Sequence, residues 1–233
     1  MAEALDIVYL VKDTTANEEL RYSLRSVCEN FTFRKVWFYG GRPNYLMPDE
    51  WVHVVQNQRT KWLRTTNMIR KICENPEITN QWWLFNDDFF VLQKTEGIEI
   101  PYDGSIYEHI VTIEDRHNQK VTAYTRELRW MAHELRKRGL PAINYAVHMP
   151  MLIDKNKALR TLDAFPNQPM FRSLYGNYNN LEGTDIKDCK IAGLERLPKE
   201  DAIFVSTDDK AFSFGEVGKY IRERFTEPCR YEI

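Results

Sequence analysis

Asp6 to Val11 reads Asp-Ile-Val-Tyr-Leu-Val, a β-branched apolar run that gives way to the polar Lys12-Asp13-Thr14-Thr15. Such a run predicts a buried first strand followed by a loop. From Asn17 to Cys28, Leu20, Leu24 and Val27 recur at helical spacing, with Asn17 placed to cap and Glu18 and Glu19 in the first turn. Lys35 to Tyr39 predicts a second strand, stopped by Gly40-Gly41-Arg42-Pro43, and Val52 to Val55 a third. Met68, Ile69 and Ile72 mark a helix between Thr65 and Cys73, whose other side carries Arg64, Asn67, Arg70 and Lys71. Gln81 to Leu92 is two apolar stretches interrupted by Asn86-Asp87-Asp88. Strand, helix, strand, strand, helix, strand is the grammar of an α/β fold with a mostly parallel sheet flanked by helices.

The second half is less regular. After the turn-rich Pro101-Tyr102-Asp103-Gly104, Tyr124 to Arg138 has Leu128, Met131, Ala132 and Leu135 on one side and ends at Gly139 and Pro141, predicting an amphipathic helix. A strand is predicted from Ile143 to Val147, leading to His148-Met149-Pro150, after which Asp154 caps a helix through Leu162. Arg172 to Asn180, rich in Gly, Asn and Tyr, reads as a loop. A strand from Ala202 to Val205 and a short basic helix around Val217 to Phe225 close the chain. No repeat or linker interrupts it, so its 233 residues read as one domain. Its regular first part, residues 1–95, gives way to a less regular second part, residues 96–233.

Charge narrows the function little: the net formal charge of −2 does not demand nucleic acid, although a local basic face would still bind it. Aromatic residues, at 13%, are more suggestive, because flat rings hold sugars and bases. Cys28, Cys73, Cys189 and Cys229 are scattered without a CxxC or Cys/His grouping, so they read as reduced and structural. With no signal peptide and no stretch of roughly 20 apolar residues to serve as a transmembrane segment, the expected location is cytoplasmic.

Candidate chemistry begins at Asn86-Asp87-Asp88. Two carboxylates at the end of an apolar strand are costly without a positive neighbour. Hard cations such as Mn2+ or Mg2+ take oxygen ligands and share them with substrate phosphates, so one or two protein carboxylates suffice. Lys61, Arg64, Arg70 and Lys71, around the start of the Thr65 to Cys73 helix, are candidates for the phosphates themselves. His148, at the end of a predicted strand, is a candidate to complete the cation's shell or to contact phosphate.

Taken together, Asp6 to Asp13, Glu19 to Ser26, Arg34 to Tyr39 and Leu84 to Phe90 resemble, in order and spacing, the blocks of Stealth-type proteins, and His148-Met149-Pro150 with Asp154 is similar to that family's later His-x-Pro block. The resemblance implies a GT-A-like nucleotide-sugar fold and transfer of a sugar phosphate or sugar to a hydroxyl. It also implies a nucleotide-sugar-binding half in residues 1–95 and an acceptor-binding half in 96–233, with donor contacts from Val11, Lys12 and Asp13 after the first strand and from Asn67, Asn86 and Asp87, catalytic roles for Asp88 and His148, and metal ligation by Asp88, Asp87 and His148. The chain departs from the family in that first loop and in the loop before Asn67, and its length is closer to compact phage-type transferases. Metal-dependent glycosyl transfer from a nucleotide-sugar such as a UDP-sugar is therefore the leading expectation, with hexose-1-phosphate transfer as the alternative.

Two acceptors fit: a cell-surface glycan, or a hydroxymethylated pyrimidine in phage DNA held by the basic helices Arg126 to Arg138 and Lys219 to Arg230. Arg172, Tyr175 and Asn177 are the candidate acceptor residues. A metal-dependent phosphohydrolase using Asp87, Asp88, Asp208 and Asp209, and a non-catalytic glycan-binding module, are the competing classes. The catalytic base is left open among Asp154, Asp185, Asp208 and Asp209.

Overall fold

The computed structural model describes residues 4–166 and 170–233. In chain order the elements are β1 (Asp6–Val11), α1 (Glu18–Asn30), β2 (Val36–Gly40), β3 (Glu50–His53), α2 (Lys61–Glu74), β4 (Gln81–Asn86), β5 (Phe89–Val91), β6 (Pro101–Tyr102) and α3 (Ile106–Arg116). They continue with α4 (Ala123–Lys137), β7 (Met151–Asp154), α5 (Lys155–Ala164), α6 (Phe171–Tyr178), β8 (Thr184–Asp185), β9 (Lys190–Ile191), β10 (Phe204–Thr207), α7 (Asp209–Phe214) and α8 (Glu216–Arg224).

Among the described residues a five-stranded sheet runs β3-β2-β1-β4-β7, parallel except for β7, which pairs antiparallel with β4 at the edge. Side chains alternate across it. Ile7, Tyr9 and Val11 pack with Leu20, Leu24 and Val27 of α1 on one face, while Val8, Trp37 and Leu84 meet Met68, Ile69 and Ile72 of α2 and Leu162 of α5 on the other. Both faces are covered, which is why the central strands read as continuous apolar runs. The fold is thus α/β with a mostly parallel sheet flanked by helices.

The apolar run Gln81 to Leu92 divides between two sheets. β4 belongs to the central one, and β5 opens a second, β5-β10-β9. The three polar residues between the runs mark the crossing.

At the opposite, amino-terminal end of β1, Asp6 is fully buried. Its carboxylate accepts from Arg34 Nε at 2.8 Å and Nη2 at 2.6 Å, from Trp37 Nε1 at 3.1 Å and from the Thr79 amide at 3.1 Å. Removing one partner of such a buried network strands the others. Asp6→Ala is expected to lose about 3–5 kcal/mol of stability in urea denaturation; a loss under about 1 kcal/mol would contradict the network's role.

Several elements differ from expectation. Ile143 to Val147 is not a strand: its backbone pairing is confined to one bridge, Ile143 with Ser105, and to hydrogen bonds of Asn144 with Asp103 and Gly104, while the Asn177 side chain satisfies the Ile143 amide and carbonyl and Ser173 Oγ takes the Tyr145 amide. The strand is Met151–Asp154 instead. Arg172 to Asn180 is largely helical as α6, and Gly176 sits within it because the Tyr145 ring crosses there; a Cβ would lie 2.3 Å from Tyr145 Cδ2. Helix α2 begins earlier than expected, capped by Thr60, and α3, which is not among the expected elements, starts at a Ser105/Glu108 capping box.

Candidate active site

Asp87 and Asp88 occupy the turn between β4 and β5. Strand register then selects their neighbours. Phe89 pairs with Ser206 of β10, and Ser206 pairs with Lys190 of β9, so Asp88 meets both: its Oδ2 accepts from Lys190 Nζ at 3.2 Å and from Ser206 Oγ at 3.1 Å. Its Oδ1 is buried with no hydrogen-bond partner among the described residues. Asp87 bonds elsewhere. Its Oδ2 accepts from Asn17 Nδ2 at 2.7 Å, while Asn17 Oδ1 caps α1 through the Leu20 amide.

A third acid joins them. Glu19, in the first turn of α1, accepts from Thr207 Oγ1 at 2.9 Å. Burial raises its carboxyl to about 8; the Thr207 hydrogen bond opposes this, and the charges of Asp88, Asp87 and Asp209 add to it. Asp87 is raised to about 6 by burial and then by Asp88, against the Asn17 hydrogen bond. The folded protein therefore holds these protons more tightly than the unfolded chain, and stability falls as pH rises from about 4.5 through about 8. Glu19→Gln should flatten this slope and be more stable than the parent at pH 8 by about 2 kcal/mol, after allowance for solvent screening. Urea denaturation across that window checks it; equal stabilities at pH 8 would contradict it.

Beside this cluster lies a cleft of about 1100 Å³ at the carboxyl ends of β1 and β4, where Leu10, Leu84 and Asn86 form part of its lining. Lys61, Trp62 and Thr65 of α2 line it too, with Tyr124 of α4 stacked on Trp62 at 5.9 Å between centroids. Lys61, Arg116, Arg172, Lys187, Lys190 and Arg196 bring positive charge to it, against Asp103, Glu108, Asp185 and Asp188. Lys190 connects the cleft to Asp88.

Two further groups converge there. His148 Nδ1 lies 2.6 Å from Asp188 Oδ2, and the His148 and Lys190 amides donate to Asp188 Oδ1 at 2.9 and 3.3 Å. Burial pushes the Asp188 carboxyl up, but the His148 hydrogen bond and charge and the two amides outweigh it, leaving it below its ordinary value. An ionised Asp188 can only accept, so Nδ1 carries a proton, and in the neutral form of the ring the lone pair is on Nε2. Arg172 donates from Nη1 to the Met149 carbonyl at 2.6 Å and lies over the Phe89 ring at 5.4 Å. Its Nη2 is buried with no hydrogen-bond partner among the described residues. Burial lowers its guanidinium to about 10, with Asp88 and Asp188 pulling the other way, so it stays charged at neutral pH.

Of the residues expected from sequence, Asn86, Lys61, His148 and Arg172 line this cleft, and Asp88 adjoins it through Lys190. Val11 is buried, its carbonyl taken by Gly41 and Gln56, and Lys12 and Asp13 are exposed; none of the three lines the cleft. Arg64 and Asn67 sit on α2 outside the lining, and Arg70 is paired with Asp163. Tyr175 and Asn177 are buried structural groups: Tyr175 Oη accepts from the Asp154 amide, and the Asn177 amide bridges Ile143 and Ser173. Asp154 and Asp208 cap α5 and α7, while Asp185 lines the cleft. Asp188 and Lys190 went unrecognised in the sequence, since no local motif ties them to His148 or Asp88.

Among the described residues no three His, Cys, Asp or Glu side chains come together as a metal cage. Asp87 and His148 Nδ1 are engaged elsewhere, so the expected three-ligand set Asp87, Asp88 and His148 does not assemble. The orphaned Asp88 Oδ1, in a locus of mutually repelling acids, nevertheless suits a hard cation that draws most of its ligands from phosphate and water. No helix among the described residues is long and apolar enough to cross a membrane. The four cysteines are free.

No family model and no curated protein matches the chain. Among solved structures, it is similar to the galactosyltransferase LgtC in complex with donor and acceptor sugar analogs, with a TM-score of 0.47 and 11% identity over 95% of this chain and 94% of that one. The apo form of the glycosyltransferase GlyE in Streptococcus pneumoniae TIGR4 gives 0.31 and 7% over 58% of this chain and 44% of that one. A second GlyE structure gives 0.31 and 7% over 84% and 69%. These likenesses concern the course of the backbone and assign no residue a role.

Proposed function

We propose that this chain is a glycosyltransferase that moves a sugar from a nucleotide-sugar donor to a hydroxyl acceptor within the cleft. The observation that carries the reading is the convergence of three features: a carboxylate with an unpartnered oxygen, a buried guanidinium with an unpartnered Nη2, and a His–Asp pair. Each matches one demand of the reaction.

The donor's diphosphate needs positive charge that is already in place before the bond breaks, and Arg172, Lys190 and Lys61 supply it with little reorganisation. A divalent cation, when bound at Asp88, would neutralise charge on the departing nucleoside diphosphate. The acceptor hydroxyl needs a base. His148 Nε2 takes its proton as the acceptor oxygen bonds to the anomeric carbon and the bond to the diphosphate breaks, while Asp188 holds the ring and stabilises the imidazolium. The Trp62–Tyr124 stack offers a flat apolar surface for a sugar ring or base.

The donor is held by both halves of the chain, Lys61 from residues 1–95 and Arg172 and Lys190 from 96–233. The mixed charge of the cleft lining favours a glycan hydroxyl over a base presented from duplex DNA, which would call for a continuous basic face. Incubation with a panel of nucleotide sugars, Mn2+ and either polyol-phosphate glycans or hydroxymethylated DNA, read by mass, tests the reading. The expected result is a glycan heavier by one sugar; a gain of sugar plus phosphate identifies the Stealth-like reaction instead. Donor breakdown to water at a rate indifferent to every acceptor would overturn it in favour of a hydrolase.

A further inference from the structure

Asp88 already has a cation: Lys190 Nζ, 3.2 Å from Oδ2. The pair is only partly exposed, with 29% of the Lys190 side chain and 15% of the Asp88 side chain accessible. Ser206 Oγ holds the same oxygen at 3.1 Å, and the other oxygen has no hydrogen-bond partner. Lys190 itself lines the cleft, as does Arg172. It stands between the acid cluster and the space that, on the reading above, receives the diphosphate.

We propose that Lys190 is a placeholder cation: it neutralises Asp88 while the cleft is empty and is exchanged onto the donor's diphosphate when a divalent cation takes the carboxylate. Three features support this. Asp88 follows Asp87 directly in one turn and has a buried, unpartnered Oδ1, so this locus without a positive charge beside it would be costly. Lysine is a compact point charge on a flexible four-carbon stem, able to swing between two anions without rebuilding the backbone. The unpartnered Oδ1 shows that one lysine does not saturate the carboxylate, which leaves a position from which an incoming cation can compete. Exchange also makes the protein discriminate: cation without nucleotide must displace Lys190 into an empty cleft, whereas cation with diphosphate gives Lys190 a new anion. The two ligands therefore bind with positive coupling.

The inference rests on the diphosphate reading of the cleft, but half of its test does not. Lys190→Met keeps the stem and removes the charge. Mn2+ binding to the protein alone, followed by the electron paramagnetic resonance of the free ion, should be roughly five- to tenfold tighter in Lys190→Met than in the parent, and absent in Asp88→Ala. UDP binding at saturating Mn2+, by calorimetry, should weaken by roughly tenfold in Lys190→Met. Thermal melting confirms that the variants are folded. Mn2+ affinity that is unchanged or weaker in Lys190→Met overturns the placeholder role, whatever UDP does. Tighter Mn2+ with no UDP binding in the parent keeps the competition at Asp88 and removes the diphosphate reading, and with it the second half of the exchange.

Discussion

Replacing His148 with Ala is expected to lower turnover by about 10²- to 10⁴-fold while leaving the donor's Michaelis constant within about twofold. The proton of the acceptor hydroxyl has to leave as the new bond forms, and His148 lines the cleft with one ring nitrogen fixed on Asp188, which leaves the other to accept it. Asp188→Asn should lose part of the same factor, since an amide oxygen still accepts from Nδ1–H but supplies no charge to the imidazolium. Asp188 is thus a positioning residue, and the split between turnover and Michaelis constant separates that role from a structural one. A collapsed cleft would raise the Michaelis constant as turnover falls. Steady-state kinetics with a saturating acceptor reads both; full turnover in His148→Ala would remove the base.

Asp88→Asn carries the second large effect, and it runs in opposite directions for function and stability. Its charge lies next to the unpartnered oxygen offered to a cation, so kcat/KM in Mn2+ should fall by about 10³-fold. Stability should not fall with it. Asp88 raises the carboxyls of both Glu19 and Asp87, so removing its charge relieves repulsion in the fold and brings both acids closer to their ordinary values. Lys190, left without its partner, is exposed enough to turn to water. The melting temperature of Asp88→Asn above pH 7 should equal or exceed the parent's, the pattern expected where a binding site is kept at a cost to the fold. Simultaneous loss of activity and several degrees of melting temperature would make Asp88 a structural residue.

How much of this was legible beforehand depends on how far apart the interacting residues lie. The first strand, the Asn17 cap and the Asp154 cap were readable because each is a local pattern, and β1, α1 and α5 follow them. The ends of strands were readable too: the polar interruption at Asn86-Asp87-Asp88 is where the chain leaves one sheet for another. Arg172 to Asn180 misled because Gly and Asn were read as turn formers, whereas Gly176 is there to clear Tyr145 and Asn177 to satisfy a neighbouring backbone. The partners of the site were out of reach for a different reason. Lys190 and Ser206 lie 102 and 118 positions beyond Asp88, and Asp188 lies 40 beyond His148. Only the register of β5, β10 and β9 brings the first two together, and register between short strands far apart leaves no periodic trace in the sequence.

The most direct measurement is a crystal structure of the protein with UDP and Mn2+. The account predicts the diphosphate in the cleft against Arg172 and Lys190, Mn2+ on Asp88 Oδ1, and Lys190 drawn off the Asp88 carboxylate. Nucleotide bound elsewhere on the molecule, with the Lys190–Asp88 pair intact and Arg172 Nη2 still without a partner, would contradict it.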